Sequence, residues 1–169
     1  MSRIHSFAFS VLTLLFLAAT SSPAAPASWI WSPGSEPAPK NRFTYFRKVV
    51  ELQTVPGDVT VRLAADSNAR LWINGVTVRR KVARYFEDRI TAEVIDAAPY
   101  LHPGKNVIVA LHHNWGPITV FQRSANAHAG LWIEGPGIAT DASWKCVTAP
   151  EFLAHDKQAV GIIGHARIR

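Results

Sequence analysis

The chain has 169 residues, 48% of them hydrophobic, and a formal net charge of +6 at pH 7. Its single cysteine, Cys146, excludes an internal disulfide framework and any zinc site built from several cysteines. A hydrophobic core must therefore stabilise the fold. The net charge makes the chain only mildly basic.

The first 27 residues have the three parts of a secretory signal peptide. Arg3 is positively charged, residues 7–19 form an apolar stretch, and Ala25 and Ala27 give the small-x-small pattern of a cleavage site. The stretch is shorter than the roughly 20 residues of a membrane-spanning helix, which disfavours the alternative of a retained membrane anchor. We expect cleavage after Ala27, which leaves 142 of the 169 residues in a secreted chain, periplasmic or extracellular, without membrane contact.

From Ser28 onwards, short runs rich in valine, isoleucine, threonine and aromatic residues alternate with turn signals, as in an antiparallel sandwich or barrel. One short helical turn is predicted at 97–101. Strands are predicted at 43–52, 59–65, 71–73, 76–78, 91–96, 106–113, 130–134 and 144–146.

Three of these segments carry the fold prediction. Residues 59–65 alternate apolar with other side chains, which indicates a strand with one buried face. Asn74-Gly75 suits a type I′ hairpin turn, and the apolar run 106–113 predicts a central strand buried on both faces. We therefore expect an all-β, jelly-roll-like antiparallel β-sandwich over residues 28–146. Residues 147–169 form a tail that reads as the start of a further region.

A basic cluster near the middle of the chain raises the question of nucleic acid. Arg79, Arg80, Lys81 and Arg84 lie close to two aromatic residues at 85 and 86. A secreted protein rarely meets nucleic acid, whereas positive charge on a strand edge prevents pairing with other sheets. We interpret the cluster as a solvated edge and predict no nucleic-acid partner.

The chain lacks a nucleotide-binding glycine loop, a nucleophile elbow and a helical two-histidine zinc motif. Glycoside hydrolysis requires two carboxylates roughly 5–10 Å apart, and no sequence context identifies such a pair. Asp66, before Ser67-Asn68, reads as a turn residue, while Glu87 and Asp88 neutralise neighbouring arginines. We predict no catalytic residue, although a small autonomous glycosidase stays an alternative.

The adjacent histidines His112 and His113 are candidates for metal binding or ligand contact. Adjacent residues on a strand point to opposite faces, so the two cannot easily share one ion. We therefore predict neither a metal site nor a cofactor, and we expect these histidines to have structural or ligand-contacting roles.

The six tryptophans divide into core candidates and one loop candidate. Trp31, Trp72 and Trp132 lie in apolar strand-like runs and are predicted to belong to the core. Trp115 follows a strand end and precedes Gly116-Pro117, where a loop on a rigid scaffold would present it to ligand. His112, His113, Asn114 and Trp115 are therefore the candidate carbohydrate-binding residues.

An ordered set of motifs resembles the N-terminal β-sandwich domain of bacterial α-L-rhamnosidases. The set begins with Trp29-Ile30-Trp31 and the strand around Tyr45-Phe46-Arg47-Lys48. It continues with Leu63-Ala64-Ala65-Asp66-Ser67-Asn68-Ala69-Arg70-Leu71-Trp72-Ile73-Asn74-Gly75, Tyr100-Leu101-His102-Pro103-Gly104-Lys105-Asn106-Val107 and His112-His113-Asn114-Trp115-Gly116. The hairpin motif alone is shared with other galactose-binding-like sandwiches.

The resemblance implies a non-catalytic accessory domain. In that family of glycoside hydrolases the reaction belongs to a downstream helical barrel, which 142 residues cannot also contain. We therefore expect an isolated or truncated domain that recognises rhamnose-containing oligosaccharides or glycosides. The alternative is a structural brace that packs against a catalytic partner domain and binds no sugar.

Overall fold

The computed structural model of the chain describes residues 26–32, 42–82, 90–114, 130–153 and 167–168. Within these ranges the protein is built from antiparallel strands and a short 3₁₀ helix, Ala98–Tyr100. The strands in chain order are β1 Arg42–Leu52, β2 Thr60–Ala65, β3 Asn68–Ile73, β4 Val76–Arg79, β5 Glu93–Asp96, β6 Gly104–Asn114, β7 Leu131–Glu134, β8 Lys145–Thr148, β9 Phe152–Leu153 and β10 Arg167–Ile168.

The strands form two principal sheets. One has five strands in the order β4-β3-β6-β1-β8, and the other has three in the order β5-β2-β7. β9 and β10 pair separately. The longest pairing joins β1 to β6, from Arg42 opposite Asn114 to Leu52 opposite Gly104. This pairing fixes which ends of the strands lie together, and it therefore determines where polar residues at strand ends meet.

The core lies between the two sheets. Side chains on a strand alternate between faces, so each sheet turns one apolar face inwards. The buried cluster draws on both sheets, with Phe46, Val50, Leu71, Ile73 and Ile108 from the five-stranded sheet and Val61, Leu63, Ile95, Leu131 and Ile133 from the three-stranded sheet. Each such side chain contributes about 1.5–3 kcal/mol relative to an exposed one. The predicted all-β antiparallel fold is confirmed, with the two sheets packed face to face as a sandwich.

The five-stranded sheet turns its other face away from the core, and we call this the outer face. On β3, Leu71 and Ile73 are buried, so the alternate residues point outwards. Register with the neighbouring strands extends the same alternation across the sheet. The outer face carries Phe43, Tyr45, Arg47, Val49, Arg70, Trp72, Val107, Val109, Leu111, His113, Lys145 and Val147.

The predicted hairpin turn is confirmed at Asn74 and Gly75, whose φ angles are 51° and 81°. Both central residues of a type I′ turn need positive φ. The Asn74 side chain also ties the turn to β6, because its Oδ1 accepts from the Val107 backbone N–H at 2.8 Å. Its Nδ2 donates to Asn106 Oδ1 at 2.8 Å. The turn is thus held by both backbone geometry and side-chain hydrogen bonds.

Two predictions about burial need correction. β6 is central, but its residues alternate between buried and half-buried, so it is not buried on both faces as predicted. Trp31 packs against the core as predicted, whereas Trp72 and Trp132 are half-buried and alternate with buried neighbours on their strands. Their indoles therefore lie on the faces directed away from the core. Trp144, which precedes β8, is the buried tryptophan of the described ranges.

The described segment 130–153 includes residue 146, where the domain boundary is predicted. β8 runs to Thr148, and the Ala149 backbone N–H donates to Phe43 O at 2.9 Å. Tyr45 Oη donates to Glu151 Oε1 at 2.5 Å. Residues 147–152 therefore add contacts to the five-stranded sheet.

The predicted signal peptide lies almost wholly outside the described residues, which begin at Pro26. In the part of the chain that the structure describes, no helix is long and apolar enough to cross a membrane. Cleavage after Ala27 stays a prediction.

Candidate functional site

Polar side chains are concentrated at one end of the sandwich, which we call the Asp66 end. β1 begins and β6 ends there, because Arg42 pairs with Asn114. The link between β2 and β3 lies at the same end, since Asn68 pairs with His113. The described residues that flank 33–41 and 115–129 also belong to this end. A site at this end would be formed by residues at the ends of several strands of the same β-sandwich.

Asp66 is the centre of this end, and it is only 5% exposed. Its Oδ1 accepts from His112 Nε2 and from the Gly130 backbone N–H, the latter at 3.0 Å. Its Oδ2 accepts from Ser67 Oγ at 2.9 Å and from Asn114 Nδ2 at 2.5 Å. A buried carboxylate is stable only when donors surround it, as they do here.

The pKa of Asp66 is lowered from its usual value. Burial alone would raise this pKa, but the hydrogen bond from His112 and the electrostatic interaction with it lower the pKa, together with the hydrogen bonds from Gly130 and Ser67. Asp66 is therefore ionised at neutral pH, and its charge holds the surrounding donors in place. Asp66 does lie in the link between β2 and β3, as predicted, but three of the donors to its side chain come from distant strand ends.

Asp66 joins the two residues that flank 115–129. Its side chain accepts from Asn114 on one side and from Gly130 on the other, and its own backbone N–H donates to Gly130 O at 3.0 Å. Gly130 also lies under an indole, since a Cβ there would be 2.8 Å from Cε3 of Trp29. A side chain at residue 130 would displace Trp29 or the backbone.

Four buried polar atoms at this end have no hydrogen-bond partner in the described structure: Trp31 Nε1, Thr44 Oγ1, His112 Nδ1 and Asn114 Oδ1. They are neighbours, because Thr44 pairs directly with His112 and the Trp31 ring meets the His112 ring edge-on at 5.1 Å. Leaving a buried polar atom without a partner costs about 1–3 kcal/mol. Each such atom in a folded domain calls for an explanation, and their grouping makes this end the candidate functional site.

On the outer side of the Asp66 end, three rings are stacked. His113 lies parallel to Phe43 with ring centroids 3.8 Å apart, and Phe152 lies parallel to Phe43 at 4.1 Å. Two rings cannot occupy one face of Phe43, so it lies between the other two. Burial, and secondarily the charge of His112, lowers the pKa of His113 to about 4. His113 is therefore neutral at neutral pH.

The structure divides the four predicted site residues. His112 and Asn114 point into the sandwich beside Asp66, whereas His113 points to the outer face. The expected separation of the adjacent histidines is thus observed. Trp115 lies outside the described residues, so its role in ligand binding stays a prediction. The sequence did not identify Asp66 and Ser67 as site residues. The one indication in the sequence is that they directly follow the apolar run Leu63–Ala65, where a strand ends.

Two acidic residues of β5, Glu93 and Asp96, are engaged away from the Asp66 end. Glu93 forms an ion pair with Arg79, and Asp96 Oδ1 accepts from the Ala98 backbone N–H at 3.1 Å. Glu87, Asp88 and Arg84 lie outside the described residues. Within the described ranges, no three His, Cys, Asp or Glu side chains are grouped so as to hold a metal ion.

The two packed sheets and the polar end define an antiparallel β-sandwich domain with a candidate site at its strand ends. No protein-family model matches the sequence, and no curated protein matches it. Among solved structures, the GH78 family rhamnosidase of Bacillus sp. GL1 is 28% identical with a TM-score of 0.69, over 78% of this chain and 14% of the enzyme.

Two further α-L-rhamnosidases are similar. The enzyme of Streptomyces avermitilis, solved in complex with L-rhamnose, is 24% identical with a TM-score of 0.53, over 87% of this chain and 15% of the enzyme. The enzyme of Aspergillus terreus is 16% identical with a TM-score of 0.58, over 76% and 17%. At these identities the two matches support the fold alone. Together the three confirm the predicted resemblance to a domain of α-L-rhamnosidases, and the chain spans only 14–17% of their length.

Proposed function

We propose that the chain is an accessory carbohydrate-recognition domain of the α-L-rhamnosidase type, which binds rhamnose-containing sugars at the Asp66 end. In this proposal it corresponds to the N-terminal domain of such an enzyme, it is secreted through residues 1–27, and its partner is a helical-barrel catalytic domain. It has no catalytic role of its own. The similarity to the Bacillus rhamnosidase supports the class of ligand.

The observation that carries this proposal is the attachment of residues 114 and 130 to one buried carboxylate. Asp66 fixes both residues that flank 115–129, the segment that begins with Trp115. Binding is stronger when the binding groups are held in position before the ligand arrives, because less conformational entropy is lost. A segment attached at both ends in this way is well suited to present an aromatic face.

The chemistry of the Asp66 end also suits a polyhydroxylated ligand. Trp31 Nε1 can only donate, Asn114 Oδ1 can only accept, and the Thr44 hydroxyl can do both. Sugar hydroxyls likewise donate and accept. In this structure the four atoms are buried, so a ligand hydroxyl would reach them only if the side chains that cover them moved.

The proposal is tested by titrating the purified chain with L-rhamnose and rhamnose-containing oligosaccharides, monitored by NMR. An open site that leaves hydroxyls in competition with water should bind weakly, with a Kd of roughly 0.1–10 mM. Trp115→Ala should abolish most of this binding while the melting temperature stays nearly unchanged. Trp72→Ala is the matched control, because it removes an indole from the outer face, several residues from the Asp66 end.

A structural brace predicts a different set of results. No sugar would change the spectrum, and a Trp115 that belongs to the core would destabilise the fold by roughly 3–5 kcal/mol when truncated to alanine. Equal loss of rhamnose binding in Trp115→Ala and Trp72→Ala would also contradict binding at the Asp66 end.

A further inference from the structure

The outer face carries positive charges in a regular arrangement. Antiparallel register aligns Trp72, Val109, Arg47 and Lys145 in one row across β3, β6, β1 and β8. The next row contains Arg70, Leu111, Tyr45 and Val147. Adjacent strands lie about 4.8 Å apart, so each row extends over roughly 14 Å. Arg47, Arg70 and Lys145 are all exposed.

Two of these cations lie directly opposite each other. Arg47 pairs with Lys145 in the β1–β8 register, and both side chains point to the outer face. Like charges directly opposite on neighbouring strands are destabilising. Within the described ranges these two cations have no acidic partner, an arrangement that favours the binding of a negatively charged ligand.

The described acidic residues near this face form no ion pair with these cations. Glu51 lies directly opposite Lys105, so those two charges match each other. Glu151 accepts the hydroxyl hydrogen bond of Tyr45. Among the described residues, no ion pair engages Arg47, Arg70 or Lys145. Arg70 instead lies over the Trp72 ring, 5.6 Å from its centroid.

We propose that the outer face binds an acidic polysaccharide, a chain whose uronate carboxylates contact Arg47, Lys145 and Arg70. Guanidinium groups bind carboxylates through two parallel hydrogen bonds, and lysine adds a point charge. Val147, which is 59% exposed, and the half-buried Leu111 provide apolar surface against which the C–H faces of sugar rings can pack. Nucleic acid is a poorer fit, because single strands are bound by stacking bases on free aromatic faces, and Arg70 already covers Trp72.

This inference rests on the proposed function for its ligand class, but it uses a different surface and different residues from the Asp66 end. An experiment can therefore contradict one of the two proposals without contradicting the other. Loss of rhamnose binding in Trp115→Ala concerns the Asp66 end, whereas binding of a charged chain depends on Arg47 and Lys145.

The test is calorimetric titration of the purified chain with a defined oligogalacturonate at low ionic strength, compared with a neutral oligosaccharide of equal length. We expect binding of the oligogalacturonate alone, weakening as salt is added. The double variant Arg47→Gln with Lys145→Gln should raise its Kd at least about tenfold, which is about 1.4 kcal/mol. Its melting temperature should be unchanged or higher, because the opposed charges are gone.

Lys105→Gln is the matched control, since it removes a cation of the same sheet that has an acid opposite it. It should change the Kd less than twofold, and Trp115→Ala should leave oligogalacturonate binding intact. The proposal is overturned if the unmodified chain does not bind oligogalacturonate, or if the double variant binds it unchanged. Equally tight binding of single-stranded DNA with the same dependence on Arg47 and Lys145 would also overturn it, because the face would then be a general polyanion surface.

Discussion

The two ends of the β-sandwich both contain buried asparagines, but they differ in how completely their polar atoms are paired. At one end Asn106 is fully buried, and its Oδ1 accepts from Asn74 Nδ2 at 2.8 Å and from the His102 backbone N–H at 3.0 Å. Its Nδ2 donates to His102 O at 2.7 Å and Gly104 O at 3.0 Å. All of its hydrogen-bonding capacity is used within the fold.

At the Asp66 end, Asn114 donates to Asp66 while its Oδ1 has no partner among the described residues, and His112 Nδ1 is in the same position. A network in which every member is paired stabilises and fixes the structure. A hydrogen-bond network that contains buried polar atoms without partners is less stable than a fully paired one, and a purely structural role does not explain that loss. The comparison shows that the polar atoms of Asn106 are paired within the hairpin end, whereas the Asp66 end has buried polar atoms without a partner among the described residues, which is why we propose the ligand site there.

The largest effect that would test this comparison comes from removing Asp66. Asp66→Ala leaves the donors of His112, Asn114, Ser67 and Gly130 without their acceptor, and the free energy of unfolding should fall by about 3–5 kcal/mol in urea denaturation. Asn106→Ala should destabilise by a similar or smaller amount. Rhamnose affinity should disappear in the Asp66 variant and persist in the Asn106 variant while both are folded.

Asp66→Asn serves as the gentler variant if alanine prevents folding. It keeps the shape of the side chain but removes the charge, so rhamnose binding should weaken in a folded protein. Equal rhamnose affinity in Asp66→Asn and the unmodified chain would remove the functional distinction between the two ends.

A somewhat smaller effect should appear as pH is lowered. The pKa of His113 is about 4 in the fold and near 6.5 in the unfolded chain, because burial disfavours its charged form. The unfolded state therefore takes up a proton first, and stability that is complete above pH 6.5 declines as pH falls towards 4. We expect a loss of roughly 2–3 kcal/mol between pH 7 and 4.5.

His113→Phe, which preserves the stack on Phe43, should flatten this dependence, and His102→Gln, at an exposed histidine, should not. The ionisation of Asp66 affects stability at lower pH than that of His113. Its lowered pKa means that its contribution is present above pH 3.8 and is lost as pH falls further. A His113→Phe variant whose stability declines as steeply as the unmodified chain between pH 7 and 4.5 would contradict the burial of this ring.

The smallest effect compares two buried threonines. Thr44 Oγ1 has no partner in the described structure, whereas Thr140 Oγ1 donates to Ser28 O at 2.6 Å and accepts from the Ile133 backbone N–H at 3.1 Å. Thr44→Val should therefore be neutral or stabilise by up to about 1 kcal/mol, while Thr140→Val should cost about 1–3 kcal/mol. Thermal melts of both variants measure this difference. Destabilisation by Thr44→Val equal to that of Thr140→Val would mean that Thr44 is fully paired.

The parts of the fold that were predictable from sequence are those determined by neighbours in the chain. The Asn74-Gly75 turn and the alternation along β2 are local patterns, and the structure has the turn and the alternation as far as Leu63, whereas Ala64 is buried together with Ala65. The outward position of Trp72 was not predictable in this way. Leu71-Trp72-Ile73 is apolar throughout, so the sequence does not show which residues face the core, and only pairing with β6 decides it.

The candidate site was only partly predictable for the same reason. His112 and Asn114 end an apolar run and were found, but their acceptor is Asp66, which precedes them by 46 and 48 residues. The Gly130 donor follows Asp66 by 64 residues. A carboxylate whose partners are so distant in sequence looks like any turn residue until the strands are paired.

The attachment of Asn114 and Gly130 to Asp66 bears on how this domain could acquire new ligands. The entropy of closing a connection grows slowly with its length, by only about 0.6 kcal/mol for each doubling. Exchanging 115–129 for a different or longer segment would keep Asn114 and Gly130, the two residues that hydrogen-bond Asp66. If 115–129 binds the ligand as proposed, the β-sandwich can therefore accept different binding segments between the same two residues. The scaffold already holds the ends of the segment together, so a new segment adds little entropy cost of closure.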